Sequence, residues 1–470
     1  MNNQKSVQIN NNIFRRYDIR GVYGKDFNED TFFQLGYAIA KQNERITVGS
    51  DNRRHSRQLA KYLIKGLSAK KAKVFYTDIS SIGLCVFTGW QLKSNKIIFI
   101  TASHLEPHWN GLKIHYGDGE PFKSKDIKNI KQAIKKLKNK QLIAPKQKQS
   151  IVKVNFSQKY INFFKKHFPL LKNNNLKIVV DCADGATSII APLVFKKLGF
   201  WVKKIHCNYK IFGKRRASEP TLEATTKLKK IVQQTKAHFG VAFDGDGDRA
   251  IIIDDQGRYL NGNEIGSLLA KFLINEHQQT QQKLIIVKTV AVSMALENNL
   301  KIQKNINIKE VPVGHNSVIP ACKKYKAILG VEQSSHIVMP QYFIFDDALL
   351  VPLKIGEILI KEKKPLSMLI NDLKTYPYKE ITWYYDDNKK NQFVKTITSF
   401  AKKLFKKFKI IDGIKIYFPY GWFLIRQSNT SPNIKAYLEA INKSKLKLIE
   451  KKMMALIKKV RGRGLEPPRE

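Results

Sequence analysis

Short apolar runs that end in an Asp, Gly or Ser turn and pass into segments of helical period recur along most of this chain, and few folds accommodate that order. RITVGSD leads into RQLAKYLIKGLSAK, and KVFYTD and KIIFITASH are further strand-to-loop junctions. LKIVVDCADG reopens the scheme, with SIIAPLVFKKLG as a helix and HFGVAFDGDGDRAIIIDDQG as strand, loop and strand. A third round begins near Tyr259: NEIGSLLAKFLINE is helical, LIIVKTV a strand, INIKEVPVGHNSVIPACKKY strand, loop and helix, and AILGVEQSSH a strand entering a loop. Strand, turn, helix and strand in that order predict α/β units on largely parallel sheets. After Pro365 the pattern changes. KEITWYYDD, GIKIYFPYGWFLIRQSN and NIKAYLEAIN are strand-rich, and a Lys-rich helix and the polar RGRGLEPPRE follow. The expected class is α/β: three similar mixed α/β domains at 1–150, 151–257 and 258–370, then a smaller α+β domain at 371–470. A chain of 470 residues needs several cores. The Lys/Gln-rich KKLKNKQLIAPKQKQS reads as an interdomain connection.

Charge is the feature that most invites a different reading. Lys and Arg number 84 against 38 Asp and Glu, a formal balance of +46, as expected of a protein that meets nucleic acid or an anionic membrane. The cations, however, are mostly Lys spread along the whole chain, as in FVKTITSFAKKLFKKFKI, where they alternate with apolar residues at helical spacing. That is the solvated face of amphipathic helices. No RNP-type aromatic strand, GXXG clamp or Cys/His finger is present, so nucleic acid is not the expected partner. An anionic small substrate gains from the same field. No apolar run is long enough to cross a bilayer, and MNNQKSVQINNNIF has no apolar core of a secretion signal, so a cytoplasmic protein is expected. Cys85, Cys182, Cys207 and Cys322 are scattered without a CxxC pair, which suggests neither a disulfide framework nor a zinc site.

Four loops are candidates to carry the chemistry, and each taken alone has a plain reading too. The plain readings are a solvated Asp/Gly turn for FDGDGDR, a capping loop for ITASHLEPHWNGLK, the polar side of a strand edge for GVEQSSHIV and an ST turn for RQSNTSP. In FDGDGDR, Asp244, Asp246 and Asp248 alternate with glycines that permit a tight backbone, so three carboxylates converge. Packed anions need a cation, and oxygen-only ligands select Mg²⁺, Ca²⁺ or Mn²⁺. An EF-hand loop is excluded, because Arg249 and Asp255 stand where it requires Gly and Glu. In ITASHLEPHWNGLK, Ser103 and His104 come directly off a strand, without the G-x-S-x-G of a hydrolase. In GVEQSSHIV, Glu332, Ser334 and His336 alternate, and in extended backbone they share one face suited to the hydroxyls of a polyol. In RQSNTSP, Arg426 with Ser428, Asn429 and Thr430 offers a guanidinium fork and small donors for phosphate.

The order of these loops, one per inferred domain, resembles the α-D-phosphohexomutase superfamily, whose four domains surround a central cleft. The resemblance spans nearly the whole chain, from FRRYDIRG to RQSNTSP. YDIRG and the SNT form of the last loop are similar to bacterial phosphomannomutase/phosphoglucomutase, whereas phosphoglucosamine mutases usually carry GTDGIRG-like and SGT segments. The resemblance implies interconversion of hexose 6-phosphate and hexose 1-phosphate, mannose or glucose, through a phosphoserine and a hexose 1,6-bisphosphate that also serves as activator. Phosphoglucosamine mutase and a weakly active sugar-phosphate-binding relative are the alternatives. It also implies a monomer whose partners are small sugar phosphates.

Carried over by motif, Ser103 is the phosphorylated serine, with His104 beside it, and Asp244, Asp246 and Asp248 hold Mg²⁺ with it. Glu332 and Ser334 read sugar hydroxyls next to His336, and Arg426, Ser428, Asn429 and Thr430 grip the phosphate that is not reacting. Tyr17, Arg20, Lys113, Arg249, Lys288 and His315 are implied cleft residues, and the base is one of Arg20, Lys113, His315 and Glu332. The chain departs from the family's T-A-S-H-N-P-x-x-Y-N-G-x-K: Leu105 and Glu106 replace Asn and Pro, and Trp109 replaces Tyr. Glu106 is expected to bring negative charge near the phosphoserine and slow transfer. Ser335 stands at a usual Gly, and Cys85-Val86 at a Thr-Pro-like turn.

Overall fold

The computed structural model describes residues 9–137, 151–277, 282–301, 305–387, 389–429 and 431–461. Four sheets form in sequence order. The first has six strands, in the order Ile19–Val22, Trp109–Tyr116, Lys96–Ile100, Arg45–Ser50, Lys73–Ile79 and Ile151–Lys153. Its centre is parallel, and Trp109–Tyr116 runs antiparallel beside Lys96–Ile100. Helices make the crossovers. Ser56–Ala69 turns Leu59, Leu63, Ile64 and Leu67 to the sheet, while Glu29–Ile39 is started by a reciprocal Asn28–Thr31 capping box.

The second sheet runs Tyr259–Leu260, Ala250–Asp254, Phe239–Phe243, Lys177–Asp181, Trp201–Ile205. The third runs Ile306–Val311, Leu284–Thr289, Leu329–Val331, Ile337–Val338. The fourth is wholly antiparallel, from Tyr378–Tyr384 through Asn433–Ala440, Gly421–Gln427 and Ile414–Phe418 to Phe408–Lys409. Helices Lys390–Leu404 and Lys443–Arg461 bury Phe393, Ile397, Ile449 and Met453 against it.

Two expected boundaries shift by a few residues. Ile151–Lys153 pairs with Lys73–Ile79, so it completes the first sheet rather than opening the second unit. Tyr259–Leu260 pairs with Ala250–Asp254 and belongs to the second sheet. Composition marks a polar connection but not which sheet edge takes the strand after it, and most of KKLKNKQLIAPKQKQS lies outside the described residues. Cys85 and Val86 sit inside the helix Ile82–Gln91.

The first three units share one apolar core, which explains how separate sheets hold a fixed cleft. It joins Phe87 of the first unit, Tyr160, Phe195 and Phe243 of the second, and Leu329, Phe345 and Leu353 of the third. The helix Leu350–Glu362 packs back on the second unit, where a side chain at Gly356 would lie 2.7 Å from the Phe200 ring. Each such buried aromatic contributes about 2–3 kcal/mol by removal from water. The fourth unit has its own core and meets the third through Val290, Ala291, Trp422, Leu424 and Tyr437. Among the described residues no helix is long and apolar enough to cross a membrane.

Candidate active site

The strand Lys96–Ile100 delivers Thr101, Ala102 and Ser103 to the middle of the molecule. Ser103 is buried and holds a left-handed backbone, φ 55°, which aims its hydroxyl away from the strand. Its Oγ lies 3.3 Å from Asp244 Oδ2 and 3.4 Å from His104 Nδ1. The Ser103 amide donates to Thr101 Oγ1 at 2.7 Å, and that hydroxyl donates to Asp246 Oδ2 at 3.1 Å. Burial keeps the His104 imidazole well below its usual pKa, with Glu219 partly offsetting.

The FDGDGDR segment is a tight hairpin between Phe239–Phe243 and Ala250–Asp254, paired with Ala250 opposite Phe243. Asp244, Asp246 and Asp248 are fully buried, and one oxygen of each lies within 4.8 Å of the others. The two glycines serve different ends. Gly247 has φ 88°, while a Cβ on Gly245 would stand 2.6 Å from the Ser103 carbonyl oxygen, so the metal loop and the serine loop touch backbone to backbone. Two unit charges 4 Å apart repel by about 4 kcal/mol at an effective dielectric of 20. Burial, then Asp248 and Asp246, accordingly raise the Asp244 pKa well above its usual value. Burial opposes the Asp248 carboxylate too, but Lys113, His336 and His315 hold it well below.

Lys113 donates to both Asp246 (2.8 Å) and Asp248, and these carboxylates outweigh burial and raise its pKa. Arg249 bonds Asp244 Oδ2 through Nε at 3.2 Å and both oxygens of Glu219 at 2.7 and 2.8 Å. Even so, Asp246 Oδ1 and Asp248 Oδ1 are buried without a hydrogen-bond partner. Two orphaned anionic oxygens in an oxygen-only set fit a hard divalent cation.

The sugar loop differs from expectation in its backbone. Leu329–Val331 and Ile337–Val338 form an antiparallel hairpin, and between them Ser335 N donates to Glu332 O and Glu332 N to His336 O, both at 3.0 Å. The segment is therefore a turn, not extended chain, with Ser335 at φ 71° in the position usually held by Gly. Glu332, Ser334 and His336 nonetheless all line the same cleft. His336 Nδ1 lies 2.6 Å and His315 Nδ1 3.1 Å from Asp346 Oδ2. Burial lowers the His336 pKa, but Asp248 and Asp346 outweigh it and push it up to about 9.

From the fourth unit, the strand Gly421–Gln427 presents Arg426, whose Nε donates to Asp412 at 2.6 Å while Nη2 is buried without a partner. Ser428 Oγ meets Ser431 Oγ at 2.8 Å, and Asn429 Nδ2 donates to Val313 O at 3.3 Å, tying this loop to the third unit. Thr430 lies outside the described residues. At the N-terminal side, Tyr17, Asp18 and Arg20 complete a cleft of about 860 Å³ lined by all four units. Arg20 pairs with Asp18 at 2.7 Å and leaves Nε and Nη1 unbonded. Lys288 alone among the expected cleft residues is elsewhere: it is buried between the third and fourth units, its ammonium against Glu297 and 3.8 Å from Glu310. Strand alternation turns it to that side.

Several positions in and around the cleft escaped motif reasoning. Asp346 orients both histidines, and Glu219, Glu380, Lys435 and Tyr437 line the cleft, with Lys435 Nζ 2.7 Å from Glu380. Arg53 is the most informative of them. It is buried beneath the serine loop and donates to Ser103 O (2.7 Å), Leu105 O (2.8 Å), Glu106 O (2.6 Å) and Trp109 O (3.2 Å), while Nε holds Asp51 at 3.0 Å. The loop is thus shaped through its carbonyls, whatever side chains stand at 105 and 106. The Glu106 side chain is 78% exposed and 3.4 Å from His108, so the negative charge expected near Ser103 faces solvent.

Ser103 beside Asp244, the Glu332–His336 turn and Arg426 with Ser428, brought to one cleft from four units, fit a four-domain phosphohexomutase architecture. Models of phosphoglucomutase/phosphomannomutase match along the chain: α/β/α domain I at residues 11–141, domain II at 158–257, domain III at 261–376 and the C-terminal domain at 385–456. The chain belongs to the phosphoglucomutase/phosphomannomutase family. It is 31% identical over 459 residues to a phosphomannomutase of Methanocaldococcus jannaschii, covering 95% of this chain and 98% of that one. It is 29% identical to a phosphoglucosamine mutase of Staphylococcus aureus, covering 90% and 92%. A phosphoglucomutase/phosphomannomutase family protein of Burkholderia thailandensis shares the fold at a TM-score of 0.85 and 22% identity, over 98% of this chain and 100% of that chain.

Proposed function

We propose that the protein interconverts hexose 6-phosphate and hexose 1-phosphate by way of a phosphoserine at Ser103 and a hexose 1,6-bisphosphate. The observation that carries this is the Ser103 hydroxyl, 3.3 Å from Asp244 and facing the cleft that Arg426 and Ser428 close from the other side. Asp244, Asp246 and Asp248, with Ser103, are the residues that would hold Mg²⁺, and the ion when bound offsets charge on the phosphoryl oxygens.

In the transfer step the Oγ–P bond of phosphoserine breaks as a sugar hydroxyl oxygen bonds to phosphorus, and the hydroxyl proton passes to a base. Lys113 is held protonated by Asp246 and Asp248, so it supplies charge rather than taking a proton. His336 carries its proton at neutral pH, and a guanidinium such as Arg20 does not give one up. Of the two remaining candidates, His315 has its Nδ1 engaged by Asp346 Oδ2 at 3.1 Å, and we assign the base to Glu332, whose Oε2 is buried without a partner at the turn between the hairpin strands. Arg20, Arg249 and His104 surround the reacting phosphoryl group. Arg426, Ser428 and Asn429 hold the other phosphate, and reorientation of the bisphosphate brings that phosphate to the serine. Exposure of the Glu106 carboxylate removes one of the two grounds for a weakly active relative, the other being Leu105.

The SNT form of the last loop supports mannose or glucose over glucosamine phosphate. The test is a Mg²⁺-dependent assay on mannose, glucose and glucosamine 1-phosphates with a trace of glucose 1,6-bisphosphate. Ser103→Ala is expected to abolish turnover with the fold retained, and an undiminished rate rejects the reading.

A further inference from the structure

Outside the cleft, two of the four free cysteines stand in direct contact. Cys182 and Cys207 are 25 residues apart in sequence, yet Cys207 Sγ donates to Cys182 Sγ at 3.3 Å. Adjacent parallel strands bring them together: Asp181 pairs with Ile205, and the two thiols lie just beyond those strand ends. Cys207 is partly exposed and Cys182 fully buried, so one thiol meets solvent and the other waits behind it. Cys85 and Cys322 are buried elsewhere and supply internal controls.

The neighbours of this pair brace the metal loop. Asp181, next to Cys182, accepts from Arg216 Nε at 2.9 Å and pairs with His206 Nδ1 at 3.0 Å, and Arg216 Nη2 donates to the carbonyl of Phe243, the residue before Asp244. Asp184 N donates to His206 O at 2.6 Å, and Ala186 N to Gly245 O at 3.0 Å inside the metal loop. A disulfide sets its sulfurs about 2.05 Å apart, so closure brings these two sulfurs together by roughly 1 Å and fixes the side-chain torsions of both residues. Gly245 is one hydrogen bond from the Cys182 segment, through Ala186 N, and Phe243 is two, through Asp181 and Arg216.

We infer that Cys182 and Cys207 are a redox-active dithiol that closes to an intramolecular disulfide on reaction with a hydroperoxide, and that closure weakens cation binding at Asp244, Asp246 and Asp248; the second part rests on the metal-loop reading above. Cys207 Sγ attacks a peroxide oxygen, the O–O bond breaks, and water leaves to give a sulfenic acid. Cys182 Sγ then displaces the sulfenic hydroxyl as a second water, forming the S–S bond. Two thiol hydrogens and two electrons have passed to hydrogen peroxide, and an added dithiol returns them.

The experiment uses the full chain, with hydrogen peroxide and Mn²⁺ as probes. Oxidation is expected to remove about 2 Da, to lower the denatured thiol count from four to two, and to link the peptides of Cys182 and Cys207, all reversed by dithiothreitol. Mn²⁺ affinity by calorimetry is expected to fall about tenfold on oxidation, the loss typical when groups supporting metal ligands are displaced. Cys207→Ser, at a partly exposed position outside the cleft, is expected to keep its Mn²⁺ affinity under peroxide, and Cys182→Ala is a second block on the cross-link. Four thiols remaining after peroxide, or a linkage other than 182–207, overturns the inference, and a cross-link with unchanged Mn²⁺ affinity overturns the coupling. Failure of Mn²⁺ to bind the reduced protein rejects the metal-loop reading, and the coupling with it, while the mass loss still upholds the dithiol.

Discussion

Arg53 donates to the carbonyl oxygen of Ser103 at 2.7 Å, so a buried guanidinium grips the backbone of the residue proposed to carry the phosphoryl group. The same guanidinium holds three further carbonyls of that loop and is itself fixed by Asp51. Arg53→Lys keeps the charge but not the fork. Its expected effect is a fall in kcat of about 100-fold, the cost of a misplacement near 1 Å, with KM for sugar phosphate nearly unchanged because Glu332 and Arg426 are untouched. Steady-state kinetics alongside a melting curve checks this, and a wild-type kcat would refute it.

Asp246 accepts from Thr101 and Lys113 through Oδ2 and leaves Oδ1 buried and unbonded. Asp246→Asn removes charge but little volume. Mg²⁺ affinity is expected to fall by 10-fold or more, about 1.4 kcal/mol at least. Stability without added metal is expected to change little, because relief of the repulsion with Asp244 and Asp248 opposes loss of the Lys113 ion pair, which Asp248 keeps in part. Calorimetric titration of metal and a denaturation curve with chelator separate the two effects.

The two loops that pack their cleft residues into a few consecutive positions were legible in the sequence. FDGDGDR places its carboxylates through local backbone, and TASH follows a strand that any apolar pattern reveals. Arg53 was not legible, because a side chain that binds carbonyls leaves no mark on the residues it binds. Asp346 sits ten residues past His336 and acts on two histidines from different loops. Lys288 failed in the opposite way: the motif placed it correctly on the strand Leu284–Thr289, and only the packing of Glu297 and Glu310 shows which face it takes. Sheet membership of Ile151–Lys153 is likewise fixed by pairing with Lys73–Ile79 over a long sequence distance.

Asp347 is fully buried, accepts from Tyr160 and from Leu349 N at 3.0 Å, and burial pushes its pKa up to about 7 despite those bonds. A carboxyl with a raised folded-state pKa binds more protons folded than unfolded between its usual value near 4 and about 7. Wild-type stability should therefore fall as pH rises from 4 to 7, by up to about 4 kcal/mol relative to Asp347→Asn, and run parallel to the variant above that window. Urea denaturation of both proteins across this range checks the sign, and an identical pH profile contradicts it.

Ser335 holds φ 71° at the tip of the Glu332–His336 turn, where L residues are strained. A glycine there relieves about 1 kcal/mol of strain but gives back about as much in unfolded-chain entropy, so Ser335→Gly should be neutral within about 1 kcal/mol and keep full turnover. A β-branched residue cannot adopt the same backbone cheaply. Ser335→Val should cost about 2 kcal/mol or more and displace Glu332 and Ser334, raising KM for the sugar phosphate and lowering kcat together. Thermal denaturation with paired kinetics on both variants decides it: equal behaviour of Gly and Val would mean that the turn does not set the sugar-reading groups.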